Sequence, residues 1–267
     1  MSFVSNSNNG FSRTIKKHRK ILSMPLEADP YLSGIGKRFA THKFLANCTQ
    51  AVFRRQVEFL SRVLLEKNKK KANEITILDW GCGKGQISYL LKGKGFSVTS
   101  CDRNIASDDS AFGQVTPIID DHKIDVIPLN DPIELPFREG ELDCVVSFGV
   151  LEHVPHDLQS LKEIHRVLKA GGLLYISFLP NALSWTQAFA HLGGDHYHDR
   201  LYWKKDVQAL AAASQFQVES VWLGQLFPKN SVPFKFDTLL EPLDRILCRY
   251  TALKYFATNL EAVLVAI

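Results

Sequence analysis

The sequence predicts an open α/β fold, a doubly wound and mostly parallel sheet of seven strands. Three observations carry this. Short apolar runs alternate with helix-forming segments along most of the chain. The runs show little polar/apolar alternation, as expected of strands covered on both faces. The first of them, Ile75 to Asp79, empties into a glycine-rich turn. A chain of 267 residues, 45% hydrophobic and 22% charged, can bury a core for such a sheet without metals or disulfides. Its length fits one domain with appendages.

Residues 1–40 read as an N-terminal tail, partly disordered, with a Ser/Asn/Gly-rich stretch from Ser5 to Gly10 and a basic run, Lys16 to Lys20, expected to be solvated. Residues 41–267 read as the single domain. From Thr41 to Lys71 apolar residues recur at helical spacing, which predicts one or two helices ending in the basic run Lys67 to Lys71. Strands follow at Ile75 to Asp79, Phe96 to Cys101, Lys123 to Ile127, Leu142 to Phe148 and Leu173 to Phe178. Helices fit between them at Gln86 to Lys92 and at Asp157 to Lys169, the second turning Leu158, Leu161, Ile164 and Leu168 inward and stopping at Gly171 and Gly172. Beyond Phe178 the rhythm changes. An insertion at 179–203 is rich in His and aromatic residues; an Ala-rich helix, Lys205 to Ser214, and a strand near Gln217 to Trp222 come next. A second insertion, 223–258, carries Leu239, Leu240, Leu243, Ile246, Leu247 and Tyr250 at helical spacing; packing as a lid or against the core is expected first, with docking on a partner or lying on a membrane left open. The strand Leu260 to Ile267 comes last.

Thirty-two Lys and Arg against 28 Asp and Glu give a net charge of +4, too mild for a dedicated nucleic-acid binder, and the basic runs are not interleaved with aromatics. Five cysteines, Cys48, Cys82, Cys101, Cys144 and Cys248, contain no CxxC and suit a reducing compartment. No apolar stretch approaches the roughly 18 residues of a membrane span, and the first 20 residues lack the apolar core of a signal peptide. The expectation is a soluble, cytoplasmic protein.

The strongest signal is Ile77-Leu78-Asp79-Trp80-Gly81-Cys82-Gly83-Lys84-Gly85, a strand running into a turn that opens a helix. Glycines let the backbone approach a ligand closely, because no Cβ intrudes and positive φ costs little. The dinucleotide fingerprint requires a glycine at the sixth position, where Gln86 stands. Asp102 ends the next strand about 20 residues on, where a carboxylate can accept both hydroxyls of a ribose.

The DxGxGxG arrangement resembles motif I of class I methyltransferases that use S-adenosylmethionine. Asn130 to Phe137, Leu142 to Ser147, Val150-Leu151-Glu152-His153-Val154 and Leu168-Lys169-Ala170-Gly171-Gly172 look like the successive blocks of the type 11 branch. The resemblance covers about Ile75 to Phe178 and implies a Rossmann-like fold, with a cofactor half at 72–178 and acceptor specificity in the two insertions. It implies that Gly81, Gly83 and Gly85 lie along the methionine and ribose of the cofactor. Asp79 would act near the amino group or through water, Asp102 would bind the ribose, and Asp131 would accept from the adenine amino group with Ile133 covering the ring. Pro132 departs from the pattern, having no N–H to offer the adenine, which shifts that contact to Ile133. Cys82, Arg103 and Phe148 adjoin these positions and complete the expected cofactor set.

Methyl transfer from a sulfonium depends mainly on in-line alignment and water exclusion, and a hydroxyl acceptor also benefits from a base. The candidate bases are His153, just past the fourth strand, and His196 and His198 in the first insertion. No metal is expected, because His191, His196 and His198 lack partners at ligand spacing. The Asn-Pro-Pro-aromatic tetrapeptide of amino-methylating nucleic-acid enzymes is replaced by Phe148-Gly149-Val150-Leu151. The expected reaction is therefore methylation at O or N of a small-molecule acceptor such as a sugar, a secondary metabolite or a lipid-linked compound. Two other classes stay open at this point: a non-catalytic S-adenosylmethionine-binding partner subunit, and an NAD-dependent oxidoreductase.

Overall fold

The structure, a computed structural model, describes residues 8–103, 117–194, 198 and 200–267. In chain order the elements are α1 (Asn8–His18), α2 (Pro30–Arg38), α3 (Cys48–Asn68), β1 (Thr76–Trp80), α4 (Gln86–Gly93), β2 (Ser97–Asp102), α5 (Pro117–Asp121), β3 (Val126–Pro128), β4 (Leu142–Phe148), α6 (Asp157–Val167), β5 (Leu168–Pro180), α7 (Trp185–Leu192), α8 (Lys204–Ala213), β6 (Phe216–Gly224), α9 (Asp237–Tyr250) and β7 (Asn259–Ala266). Short 3₁₀ turns join several of them, one at Arg19–Ser23 and one at Ala252–Phe256.

The strands form one seven-stranded sheet in the order β3-β2-β1-β4-β5-β7-β6. β1 to β5 run parallel, and β7 is antiparallel to both its neighbours. Each face has its own apolar core. On one side Ile77, Cys144, Val146, Tyr175 and Val263 meet Phe59, Leu60 and Val63 of α3. On the other, Leu78, Val145, Leu174 and Leu264 meet Leu161 and Ile164 of α6 and Val207 and Ala211 of α8. Adjacent strand residues therefore point into different cores, and both must be apolar; this is why the strands carry no alternation. The strand order reverses between β1 and β4, and open α/β sheets bind ligands in the crevice at that point.

Three segments differ from the sequence expectation. Within the region read as a tail, α1 and α2 pack on the body of the fold, with Ile15 and Leu32 fully buried. Asp29 caps α2 by accepting from the Leu32 N–H at 3.0 Å, with Pro30 in the first turn. The stretch 1–7 lies outside the described residues. Helix α6 ends at Val167, ahead of the glycine pair, because Leu168 already pairs with Leu142 in the sheet. Lys67 does not end in solvent: its Nζ donates to the Gly171 carbonyl at 2.5 Å, tying the end of α3 to the start of β5. In the first basic run Lys17 and His18 bond Glu66, while Arg19 lies over the Trp222 ring at 4.7 Å.

Candidate active site

The turn after β1 has φ of +70° at Gly81, +50° at Gly83 and +78° at Gly85. The three glycines serve different ends. A Cβ on Gly81 would stand 2.6 Å from a Val150 methyl, and one on Gly85 would stand 2.9 Å from Ile119, so these two allow close packing of the turn. A Cβ on Gly83 would meet nothing within 4 Å, so this glycine faces open space at the strand ends. The Gly83 N–H donates to Asp102 Oδ2 at 2.8 Å, which holds that carboxylate against the turn. An open backbone cradle with a carboxylate on its rim fits the ribose and methionine portions of S-adenosylmethionine.

Asp79 lies beneath the turn, 1% exposed, and accepts from the Ser88 hydroxyl at 2.5 Å. Ser88 and Ser100 are 2.8 Å apart, so a chain of hydroxyls ties β1, α4 and β2 together under the glycines. Burial pushes the Asp79 carboxyl up to about 7, with Asp102 adding repulsion and the Ser88 bond opposing. Asp79 thus braces the turn from below. The Cys82 thiol is buried and its pKa is raised, mainly by burial and then by Asp79, which leaves it unreactive.

Asp131 is exposed, and its Oδ1 accepts from the Ile133 N–H at 2.7 Å and the Glu134 N–H at 2.8 Å. Those two bonds, with Arg103 nearby, hold its carboxyl below the usual range. The Ile133 N–H expected to meet the adenine is thus directed at Asp131, and the Asp131-Pro132 pair forms a turn that presents the Ile133 side chain.

Phe148 closes β4 in an aromatic group with Phe53 (6.4 Å between centroids) and Phe178 (6.3 Å). Phe178 has φ of +60°, an uncommon conformation for a bulky residue, at the irregularity between Ile176 and Leu179. Phe44 adds a further ring 6.1 Å from Phe53, and the Lys84 ammonium of the glycine turn lies 5.3 Å from it. The segment before α3 therefore reaches over the turn.

Just past Phe148 stand Glu152 and His153, met by His198 from the far insertion. The two imidazoles are 5.1 Å apart, and Glu152 Oε1 is 3.8 Å from His153 Nε2 and 4.0 Å from His198 Nδ1. Three anchors bring the insertion there. Arg200 donates to the Val154 carbonyl at 2.6 Å, Tyr202 to the Leu151 carbonyl at 3.3 Å, and the Tyr202 N–H to Pro180 at 2.9 Å. Burial pushes the Glu152 carboxyl up to about 8 and lowers His153, which favours its neutral imidazole. The three ligand atoms lie within 4.8 Å of one another, close enough for a divalent cation to fit among them. The sequence expectation excluded a metal from His191, His196 and His198; the compact group instead uses Glu152 and His153 with His198, while His191 bonds the His198 carbonyl. His196 lies outside the described residues. Sequence reasoning passed over Glu152 as a site residue, although an acid inside the apolar run Val150 to Val154 was its visible signal.

The strand order, the glycine turn and the carboxylate after β2 define the fold of S-adenosylmethionine-dependent methyltransferases of class I. A family profile described as "Methyltransferase domain" matches residues 49–221, more than half of the chain, and the protein belongs to this family. Among curated relatives, the "Ubiquinone biosynthesis O-methyltransferase" of Rickettsia bellii is 32% identical over 117 residues, 43% of this chain and 47% of the relative. That of Pseudomonas paraeruginosa is 28% identical over 121 residues, 45% of this chain and 51% of the relative. The matched segment thus spans about half the length of these relatives. Among solved structures, Haemonchus contortus phosphoethanolamine N-methyltransferase 2, in complex with phosphomonomethylethanolamine and S-adenosylhomocysteine, superposes with a TM-score of 0.51 at 17% identity over 78% of this chain and 52% of the other. The [4+2]-cyclase SpnF gives 0.51 at 19% identity over 81% of each chain, so the shared feature is the fold. No helix among the described residues is long and apolar enough to cross a membrane.

Proposed function

We propose that this protein transfers the methyl group of S-adenosylmethionine to an oxygen of a small, apolar-bodied acceptor at the ends of β1, β2 and β4. The observation that carries this reading is the open Gly83 cradle with Asp102 on its rim, facing the strand end that also bears the Glu152–His153–His198 group. Gly81, Gly83 and Gly85 would take the methionine and ribose, Asp102 the ribose hydroxyls, and Ile133 would cover the adenine. S-adenosylmethionine, when bound, supplies an electrophilic methyl group on a sulfonium. Phe44, Phe53, Phe148 and Phe178 offer an aromatic wall that excludes water and aligns the acceptor, where most of the rate acceleration originates. An amine acceptor would need no base, so a neutral imidazole at His153, just past β4, supports an oxygen acceptor. His153 would take the hydroxyl proton as the oxygen–methyl bond forms and the sulfonium–methyl bond breaks, with Glu152 and His198 beside its ring. The relatives named as O-methyltransferases accord with this choice.

The test is calorimetric titration with S-adenosylhomocysteine and with NADH, on the wild type and on Asp102→Ala. Micromolar binding of the first ligand alone is expected, weakened about tenfold in the variant by loss of a charge-assisted bond of roughly 1.5 to 3 kcal/mol. Binding of NADH alone would point to the oxidoreductase class, and binding of neither to a protein without this cofactor site.

A further inference from the structure

Helix α9 is built the wrong way out. Its polar residues Asp237, Glu241 and Asp244 are buried, and its apolar residues face solvent, with Leu239 at 67%, Ile246 at 50% and Tyr250 at 72% exposure. The inward carboxylates are held by two buried cations: Arg55 of α3 bonds Asp237 at 3.0 Å and Glu241 at 3.4 Å, and Lys229 reaches Asp244 at 3.3 Å. The Leu226 N–H donates to Asp244 at 2.6 Å. This network fixes the rotation of the helix about its axis, so the outward apolar face is a determined feature of the fold. Phe236 before the helix and Tyr255 beyond it are exposed as well, at 43% and 50%.

The charges on the exposed side have one sign. Between Phe234 and Thr258 the only acids are the three buried ones, while Lys235, Arg245, Arg249 and Lys254 flank the apolar residues. Lys235, Arg249 and Lys254 sit 5.1 to 5.3 Å from the rings of Phe236, Tyr250 and Tyr255. Apolar and aromatic side chains rimmed by cations, on a helix too short to span a bilayer, match the boundary between acyl chains and anionic headgroups. A protein partner would have to supply a matching acidic rim; an anionic membrane provides one everywhere.

We infer that the outer face of α9, with Phe236 and Tyr255, docks the protein on an anionic lipid surface. Arg245 and Arg249 also line a cavity of about 540 Å³ between α9, α3 and the 3₁₀ turn after α1.

The experiment is co-sedimentation of the full chain with phosphatidylcholine vesicles, with and without phosphatidylglycerol. Binding is expected only with phosphatidylglycerol present and is expected to weaken as salt rises. Leu239→Ser/Ile246→Ser should lose about tenfold or more in partition, and Lys235→Gln and Lys254→Gln about fivefold each. All these variants lie outside the cofactor site and should titrate S-adenosylhomocysteine as the wild type does. Equal binding to both vesicles, or binding to neither, overturns the inference. So does a dimer in light scattering that Leu239→Ser/Ile246→Ser dissociates, which assigns the face to a second copy. Failure of S-adenosylhomocysteine binding in the wild type would remove the proposed function and leave the vesicle result standing.

Discussion

Gly83→Ala separates what the glycine turn needs in order to fold from what it needs in order to bind. With φ at +50°, an alanine there carries the left-handed penalty of about 1 to 2 kcal/mol and nothing more, since its Cβ meets no atom within 4 Å. The expected loss in melting temperature is a few degrees, about 2 °C per kcal/mol for a chain of this size. The same change at Gly81 adds a 2.6 Å contact with Val150 to a φ of +70°, so about 1 to 3 kcal/mol of overpacking joins the strain. Gly140→Ala, at φ +66° with open space around it and outside the turn, is the matched control for strain alone. Thermal melts and S-adenosylhomocysteine titrations on the three variants give the pattern. Gly83→Ala and Gly140→Ala should melt alike, and only Gly83→Ala should lose about tenfold or more in affinity, because its methyl occupies the cradle. If Gly83→Ala binds the ligand as tightly as Gly140→Ala does, the open space beside Gly83 is not the cofactor seat.

Other expectations concern stability and proton transfer. Arg55→Met leaves Asp237 buried without its main cation and should cost about 3 to 5 kcal/mol in chemical denaturation; a loss under 1 kcal/mol would mean water reaches the network. Glu261 is fully buried beside Gln56 and Tyr175, and burial raises its carboxyl to about 8, as it raises Asp79 to about 7. A folded-state pKa above the unfolded one means the native state holds the extra proton. The contribution is complete below about pH 4.5 and is lost as pH rises to about 8, at up to about 1.4 kcal/mol per pH unit per group. Melting temperature should therefore fall from pH 5 to pH 8, and Glu261→Gln should flatten that slope; an unchanged slope would show that Glu261 is ionised in the fold. His153→Ala should retain S-adenosylhomocysteine affinity while kcat falls about 10²- to 10⁴-fold, with loss of the acidic limb of the pH–rate profile that imidazole protonation creates. Equal pH profiles in variant and wild type would assign His153 a structural role.

Much of the fold was legible because its signals are local. The strand Leu142–Phe148 has the bounds its apolar run predicts, and α4 starts at the predicted Gln86. The glycine turn is legible for the same reason, since residues 81, 83 and 85 each adopt positive φ. Where a signal depended on a distant partner, local reading stopped short. The Gly171-Gly172 stop gave way to the pairing of Leu168 with Leu142, and a segment read as a tail folds as α1 and α2 because α3 offers them an apolar face.

The amino-acid sequence by itself determined the order of the seven strands, the glycine turn and the carboxylate after β2, because backbone preference and hydrophobic period act within a few residues. Only the tertiary structure decided that His198 joins Glu152 and His153 across some 45 residues, since Arg200 and Tyr202 must first dock on the loop after β4. It also decided which way α9 turns. A period of 3.6 residues shows that Leu239, Leu243, Ile246 and Tyr250 share one face, and says nothing of whether that face is covered. Arg55 and Lys229 settle the matter, because two buried cations require the carboxylates of α9 inside and so leave its apolar side in solvent.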